Sequence, residues 1–521
     1  MATPAEKLAS SLEVLHELQE RSIVAIRSSE LTRTHRERLV RNGFLREVMK
    51  GWYIASRPDE PVGESTAWYA SFWDFCAAYL EERFDDQWSL SPEQSLSIHA
   101  ENWNVPGQLL ARTERGDNKP VSLPHETSLF VLRAPLPGKA NITVKQGLRL
   151  YALPAALISA GPAAFRQSPT DMRVALAMIQ DASELLGPLL EGGHSVVAGR
   201  LAGAFRNIGN DKIADQIIKT MRTADFKVQE EDPFEAAAVY QPPPRERSPY
   251  VNRLRLMWQE MRALIPANFP KPPGLPADTE HYLQHVDYVY ITDAYHSLSI
   301  EGYRVTPELI ERVRSGDWNP DHNEKDRQRR DALAARGYWQ AHQRVRETVT
   351  RIICGENPGV AVENDHSDWY RELFGSSVTA GLLGPGDLAG YRSDQVFIRN
   401  SFHTPPRVQA VRECMPVFFD LLRGETDPAV RVVLGHFVFV YIHPYMDGNG
   451  RMGRFLMNAM LAGGGYPWTV IPVERRNDYM QALEQASVHQ NIQPFAAFLG
   501  GLVEEALASR TGITPYNLNL G

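Results

Sequence analysis

One stretch limits the folds open to this chain more than any other. Asp427-Pro428 is followed by the largely apolar run to Ile442, and then by His443-Pro444-Tyr445-Met446-Asp447-Gly448-Asn449-Gly450-Arg451-Met452-Gly453-Arg454. Asp is a favoured N-cap, and Pro suits the first helical position, where its missing N–H has no intrahelical partner to lose. Pro428 to Ile442 is therefore read as one buried helix that delivers His443 to a polar loop. A second helix follows from Met452 to Leu461 and stops at Gly463-Gly464-Gly465. This half of the chain is expected to be mainly α.

The loop itself has a chemical reading. Backbone N–H groups around Gly448-Asn449-Gly450, set at a helix start, form a nest that an anionic phosphate can enter. Asp447 offers a hard oxygen to Mg²⁺. Arg451 and Arg454 lie one turn apart on one helix face, able to neutralise further phosphates. His443, as a neutral imidazole near pH 7, can take a proton from an attacking hydroxyl. A dinucleotide-binding alternative must be weighed, because Gly448 to Gly453 formally matches Gly-x-Gly-x-x-Gly and Glu474 follows at a ribose-contacting distance. It fails because Asp427-Pro428 predicts a helix upstream and no β-α-β alternation surrounds the loop. A P-loop is excluded by the absence of Gly-x-x-x-x-Gly-Lys-Ser/Thr.

At 521 residues, 43% hydrophobic and 23% charged, the chain is long enough for two to four domains. No run approaches the roughly 20 apolar residues of a membrane span, and Met1 to Ser10 lacks the apolar core of a signal peptide. A cytoplasmic location is expected. Cys76, Cys354 and Cys414 are too scattered for a disulfide framework or a zinc knuckle. The net charge of −8 means that any nucleic-acid contact must come from a local basic patch.

Such a patch exists near the start. Residues 5 to 19 read as an amphipathic helix, Ser28 to Leu31 and Thr32 to Val40 as two short helices, and Phe44 to Ile54 as a hairpin turning at Lys50-Gly51. That order is a winged helix, expected over 1–58. Between residues 21 and 53, Arg21, Arg27, Arg33, Arg36, Arg38, Arg41, Arg46 and Lys50 outnumber Glu30, Glu37 and Glu47 by five, which suits DNA phosphates. The same face also suits protein binding. Residues 59–240 read as a mixed α/β and helical region, with strand-like pieces at Leu96 to His99 and Ser128 to Leu132. A Pro-rich linker over 241–276 leads to a catalytic domain over 277–510.

Three further features of that domain stand out. His281 and His285 have metal-ligand spacing, but no third ligand accompanies them. Ser297 to Gly302 places Glu301 at a helix end closed by glycine. Tyr391 to Pro406 alternates like a short hairpin whose edge could accept another chain's strand.

The stretch His443 to Arg454 resembles the signature of the Fic family, His-x-Phe-x-Asp/Glu-Gly-Asn-Gly-Arg-x-x-Arg, with Tyr445 in place of Phe. The resemblance implies an all-helical catalytic domain with a β-hairpin flap. It also implies transfer of AMP from Mg²⁺-bound ATP to a Ser, Thr or Tyr hydroxyl of a target protein or of the chain itself. In that reading His443 is the general base, Asp447 the metal ligand, and Gly448, Asn449 and Gly450 the α-phosphate cradle. Arg451 clamps the β-phosphate, and Arg454 holds the γ-phosphate or pairs with Glu301. Ser297 and Glu301 resemble the family's inhibitory motif. Ile398, Arg399, Asn400 and Ser401 fall in its target-docking flap, and Tyr479 resembles a nucleotide-pocket tyrosine. Ser487 stands where some relatives carry an adenine-contacting asparagine, which leaves base preference open, and the family pattern is compatible with a homodimer.

The Leu39 to Tyr53 pattern, Leu-Val-x-x-Gly-x-Leu-x-x-Val-x-x-Gly-x-Tyr, resembles the winged-helix head of the abortive-infection antitoxin type IV family. Two alternatives therefore stay open. One is a DNA-binding transcriptional regulator or antitoxin-like protein that uses the Fic half as a nucleotide sensor. The other is the same fold moving UMP or a phosphoryl group.

Overall fold

The computed structural model describes residues 3–60, 64–236, 238, 248–318 and 330–511. Of the Pro-rich linker expected over 241–276, residues 241–247 lie outside the described residues, and Pro249–Arg262 is a helix and not linker. The chain divides into two compact units, Met1–Arg253 together with Phe397–Thr404, and Leu254–Val396 together with Pro405–Gly521.

The first unit begins with the helix Pro4–Glu20, closed by a capping box between Thr3 and Glu6. The helix Arg33–Arg41 follows, with the Thr32 hydroxyl accepting from the His35 N–H. The short helix expected at 28–31 is instead a turn, because the Glu30 carboxylate accepts the Arg27 N–H at 2.6 Å and the Glu30 N–H returns to the Arg27 carbonyl. The predicted hairpin forms, Leu45–Met49 against Trp52–Ala55, with Gly51 at φ +85° in its turn. Ile26–Arg27 adds a third antiparallel strand.

Beyond these strands the helix Thr66–Phe84 buries Trp68, Phe72, Phe75 and Cys76. A four-stranded sheet follows in the order Ser89–Leu90, Gln108–Thr113, Ser128–Arg133, Pro120–Ser122, its central pair parallel. The strand expected at 96–99 is the end of a helix, Pro92–His99, because Ser91 caps it and Pro92 opens it. Helices from Leu153–Ser159 to Asp211–Thr223 then share one apolar core. The segment Phe397–Thr404 belongs to this unit: the Val105 N–H donates to the Phe402 carbonyl at 2.9 Å, Ser65 donates to the Asn400 side chain, and Phe402 packs on Tyr69 at 4.7 Å.

The second unit is helical. The Asp427 side chain accepts the Ala429 and Val430 N–H groups, so Pro428–Ile442 starts where its cap dictates. Every residue from Ala429 to Ile442 is buried. The helix Asn449–Gly464 lies against it, close enough that a Cβ on Gly453 would stand 3.0 Å from Val440 and 3.3 Å from His436. Around this pair run Thr279–Ile300, Arg330–Ile353, Pro358–Thr379, Val408–Gly424, Arg476–His489 and Gln493–Thr511. No helix among the described residues is long and apolar enough to cross a membrane.

The hairpin expected at 391–406 does not form; no residue there is in a strand. Its ends are joined by side chains and not by a backbone ladder. Arg392 donates to the carbonyls of Asp394 and Pro406, and the Gln395 side chain donates to Pro405 O at 3.0 Å. Pro405 and Pro406 have no N–H to give a ladder.

Candidate functional site

The site is built at the junction of the two central helices. His443 ends the first in the left-handed region, φ 53° and ψ 60°, with its N–H still bonded to Phe439 O. Its Nδ1 lies 3.1 Å from the Val440 carbonyl. A carbonyl only accepts, so Nδ1 carries the hydrogen and Nε2 keeps its lone pair. Burial drives the imidazole down to about 4, with the Arg392 charge adding to the effect against the Val440 carbonyl. His443 is therefore neutral at physiological pH and presents a basic nitrogen.

Asp447 is 65% exposed at its side chain, with one oxygen accepting the Gly448 N–H and the other 3.4 Å from Arg451 Nη2. Gly448 caps the second helix at φ +80°, its would-be Cβ only 2.7 Å from the Phe374 ring, so no other residue fits. Asn449 is buried with both ends of its amide engaged: Oδ1 accepts from Tyr445 N at 2.9 Å and Nδ2 donates to Tyr445 O at 2.8 Å. Its side chain shapes the loop, leaving its backbone N–H as its contribution to an anion cradle. Tyr445 stacks on Tyr370 at 3.9 Å.

Arg454 is held through three hydrogen bonds. Its Nε donates to Ser297 Oγ at 2.8 Å, and Nη2 donates to Ser297 O at 3.0 Å and to Glu301 Oε1 at 2.7 Å. Ser297 and Glu301 stand four residues apart and so share a helix face. Burial pushes the Glu301 carboxyl up, but Arg454 and Arg451 outweigh it and hold the group below its ordinary range. The same oxygen, Oε1, lies 2.3 Å from where a Gly450 Cβ would be. The carboxylate thus rests on the first turn of the second helix, the seat that an anion would take.

Three contributors were missed by sequence reasoning. Arg392 is buried, and its acceptors are carbonyls, including His443 O at 2.9 Å; burial lowers it to about 10. Its backbone N–H also donates to Pro444 O at 2.8 Å. His436, two turns before His443, bonds Gly453 O at 2.8 Å through Nδ1 and the Tyr479 hydroxyl at 2.7 Å through Nε2. Tyr303 lies over Arg451. A histidine on a largely apolar helix was a usable signal for His436; Arg392 and Tyr303 gave none without tertiary contacts.

The structure gathers His443, Asp447, Gly448, Asn449, Gly450, Arg451, Arg454, Ser297 and Glu301 into one region of the second unit. Tyr479 is 1% exposed, with its hydroxyl on His436, so it buttresses this region from behind. Ile398, Arg399, Asn400 and Ser401 belong to the first unit. Of the eight basic residues expected to suit DNA phosphates, three in the helix Arg33–Arg41 have local partners: Arg33 with Glu37 at 2.6 Å, Arg36 with Ser28 O at 3.0 Å, and Arg38 with Lys7 O at 2.6 Å and Ser11 Oγ at 2.8 Å.

Residues 364–461 match the Fic/DOC family. Over 266 residues the chain is 29% identical to Protein adenylyltransferase Fic of Nematostella vectensis, covering 49% of this chain and 56% of that protein. Over 131 residues it is 34% identical to Protein adenylyltransferase Fic of Drosophila willistoni, covering 24% of this chain and 26% of the other. The chain thus spans about half, or less, of the length of these curated relatives. Among solved structures, Fic-1 from C. elegans aligns with a TM-score of 0.37 at 19% identity, covering 67% of this chain and 94% of that one. A Fic domain containing signaling protein from Bacteroides thetaiotaomicron aligns at 0.34 and 18%, covering 50% and 94%.

Proposed function

We propose that this chain, which carries a Fic/DOC-family domain, is an auto-inhibited protein adenylyltransferase. It moves AMP from ATP to a hydroxyl side chain of a target protein or of itself. One observation carries the reading: the Glu301 carboxylate rests on the helix start at Gly450 while paired with Arg454 at 2.7 Å. A site that accepts an internal carboxylate there accepts a phosphate by the same chemistry.

In turnover, His443 Nε2 takes the proton of the attacking hydroxyl. The hydroxyl oxygen bonds to the α-phosphorus, the bond from that phosphorus to the α,β-bridging oxygen breaks, and pyrophosphate leaves with the electron pair. The Asn449 and Gly450 amides receive the α-phosphate, joined by the Gly448 amide once Asp447 releases it, Arg451 the β-phosphate, and Arg454 the γ-phosphate once Glu301 lets go. Asp447, exposed and the only carboxylate in the loop, suits a Mg²⁺ ion that keeps waters and phosphate oxygens as its other ligands. Bound there, the ion would neutralise phosphate charge.

The test is incubation of the full chain with labelled ATP and Mg²⁺. Glu301→Gly is expected to label protein strongly, wild type weakly, and Glu301→Gly/His443→Ala not at all. If Glu301→Gly labels nothing, itself included, the reading falls. Competition by other nucleoside triphosphates reports whether AMP is the group moved. A DNA-binding role for residues 21–53 has weaker support, because Arg33, Arg36 and Arg38 already have partners in their own unit.

A further inference from the structure

Arg451 and Arg454 stand one turn apart on the same helix, yet they are held in different ways. Arg454 is gripped through the hydrogen-bonding edge of its guanidinium by Ser297 and Glu301. Arg451 is held by aromatic faces, with its Cζ 5.2 Å from the Tyr303 centroid and 4.9 Å from that of Phe374. It is 2% exposed, its one ion pair is the 3.4 Å contact with Asp447, and its Nε has no hydrogen-bond partner among the described residues. Aromatic faces fix the plane of a guanidinium without using its N–H groups, which lie in that plane. Arg451 is thus oriented while donors stay available.

Tyr303 is itself fixed. It follows Glu301-Gly302, where Gly302 takes φ +86°, its N–H bonds Ser299 O at 3.0 Å, and the Tyr303 N–H bonds Leu298 O at 3.1 Å. This glycine cap locks the residue after it to the helix end through backbone bonds. Rotation of the Glu301 side chain away from Arg454 breaks none of them. The residue beside the inhibitory glutamate therefore keeps its place when inhibition is lifted. Arg330 also approaches the Tyr303 ring, at 5.3 Å.

We infer that Tyr303 is a positioning residue, holding Arg451 so that its N–H edge meets the phosphates of a bound nucleoside triphosphate. The inference rests on the nucleotide-transfer reading above. It assigns the two residues flanking Gly302 opposite duties, Glu301 withholding one arginine and Tyr303 presenting the other.

The experiment uses full-length Glu301→Gly protein as the parent, with Tyr303→Ala and Tyr303→Phe added. Calorimetric Kd values for ATP and for AMP are measured with Mg²⁺, and KM and kcat by self-labelling. Tyr303→Ala is expected to raise the ATP Kd and KM roughly three- to tenfold, the range of a cation–π contact, with kcat within about twofold and AMP affinity unmoved. Tyr303→Phe, which keeps the ring face, is expected to restore the parent's ATP affinity. Unchanged ATP affinity in Tyr303→Ala overturns the inference, as does an equal loss for AMP, or a Tyr303→Phe protein as weak as Tyr303→Ala. If the parent itself binds no ATP, the nucleotide reading fails first, an outcome distinct from a parent that binds ATP and ignores Tyr303.

Discussion

The loop from His443 to Gly448 and the segment from Tyr391 to Pro406 both connect helices, and both looked structured in the sequence, yet they are held by opposite means. The first is shaped by backbone: a left-handed His443, a Gly448 that no side chain can replace, and an Asn449 amide clipped to both polar groups of Tyr445. The second has no ladder and is closed by Arg392, whose guanidinium reaches Asp394 O, Pro406 O and His443 O. Local backbone rules can be read off a sequence. A closure that depends on one long side chain finding distant carbonyls cannot.

The comparison breaks most visibly at His443. In the Glu301→Gly background, His443→Ala is expected to cut labelling by about 10²–10⁴-fold while leaving the thermal transition nearly unchanged. A loss under tenfold would mean that the backbone cradle alone does the chemistry. Gly448→Ala attacks the backbone side directly. The left-handed conformation alone costs roughly 1–2 kcal/mol, and the Phe374 contact adds to it, so denaturant titration should register more than that together with lost ATP binding. Arg392→Met attacks the side-chain closure, leaving the buried Pro406 carbonyl and the half-buried His443 carbonyl short of a donor. A drop of about 2–3 kcal/mol is expected, and unchanged stability would show that the segment closes without it.

A pH series sharpens the same contrast. Burial holds His443 at about 4, and His436 and His342 at about 3, all below the roughly 6.5 of an unfolded histidine. Between those values the unfolded chain binds more protons than the folded one, so stability is full above about pH 6.5 and falls as pH drops toward 4 and 3. His436→Gln should flatten part of that slope in denaturant titrations at pH 7, 5.5 and 4.5; an identical slope would mean that His436 is not held neutral. Labelling by Glu301→Gly should hold level through pH 5 and decline only near 4. The smallest effect is expected at Tyr445→Phe: the ring stays stacked on Tyr370, and stability should move by under about 0.5 kcal/mol.

Much of the site was legible because it is local. Asp427-Pro428 announced a helix start, Gly448 and Gly450 a backbone open to an anion, and Glu301-Gly302 a helix end. What was not legible depends on contacts between distant residues. The turn at 28–31 is set by a Glu30 side chain that outcompetes a weak helix, and the helix at 92–99 by Ser91-Pro92 overriding apolar alternation. Asn449 reads as a phosphate ligand in a motif, but its amide is committed to Tyr445 once the loop closes. Tyr479 has its hydroxyl on His436, a partner that no local pattern names.

The membership of Phe397–Thr404 in the first unit has a consequence for anyone who cuts the chain. A shortened protein starting at Leu254 would keep those eight residues while losing Ser65, Tyr69 and Val105, the groups that now receive Asn400 and Phe402. Phe402 would lose its stacking on Tyr69 and its backbone bond to Val105, so the truncated product should be more readily clipped there by proteases than the intact chain.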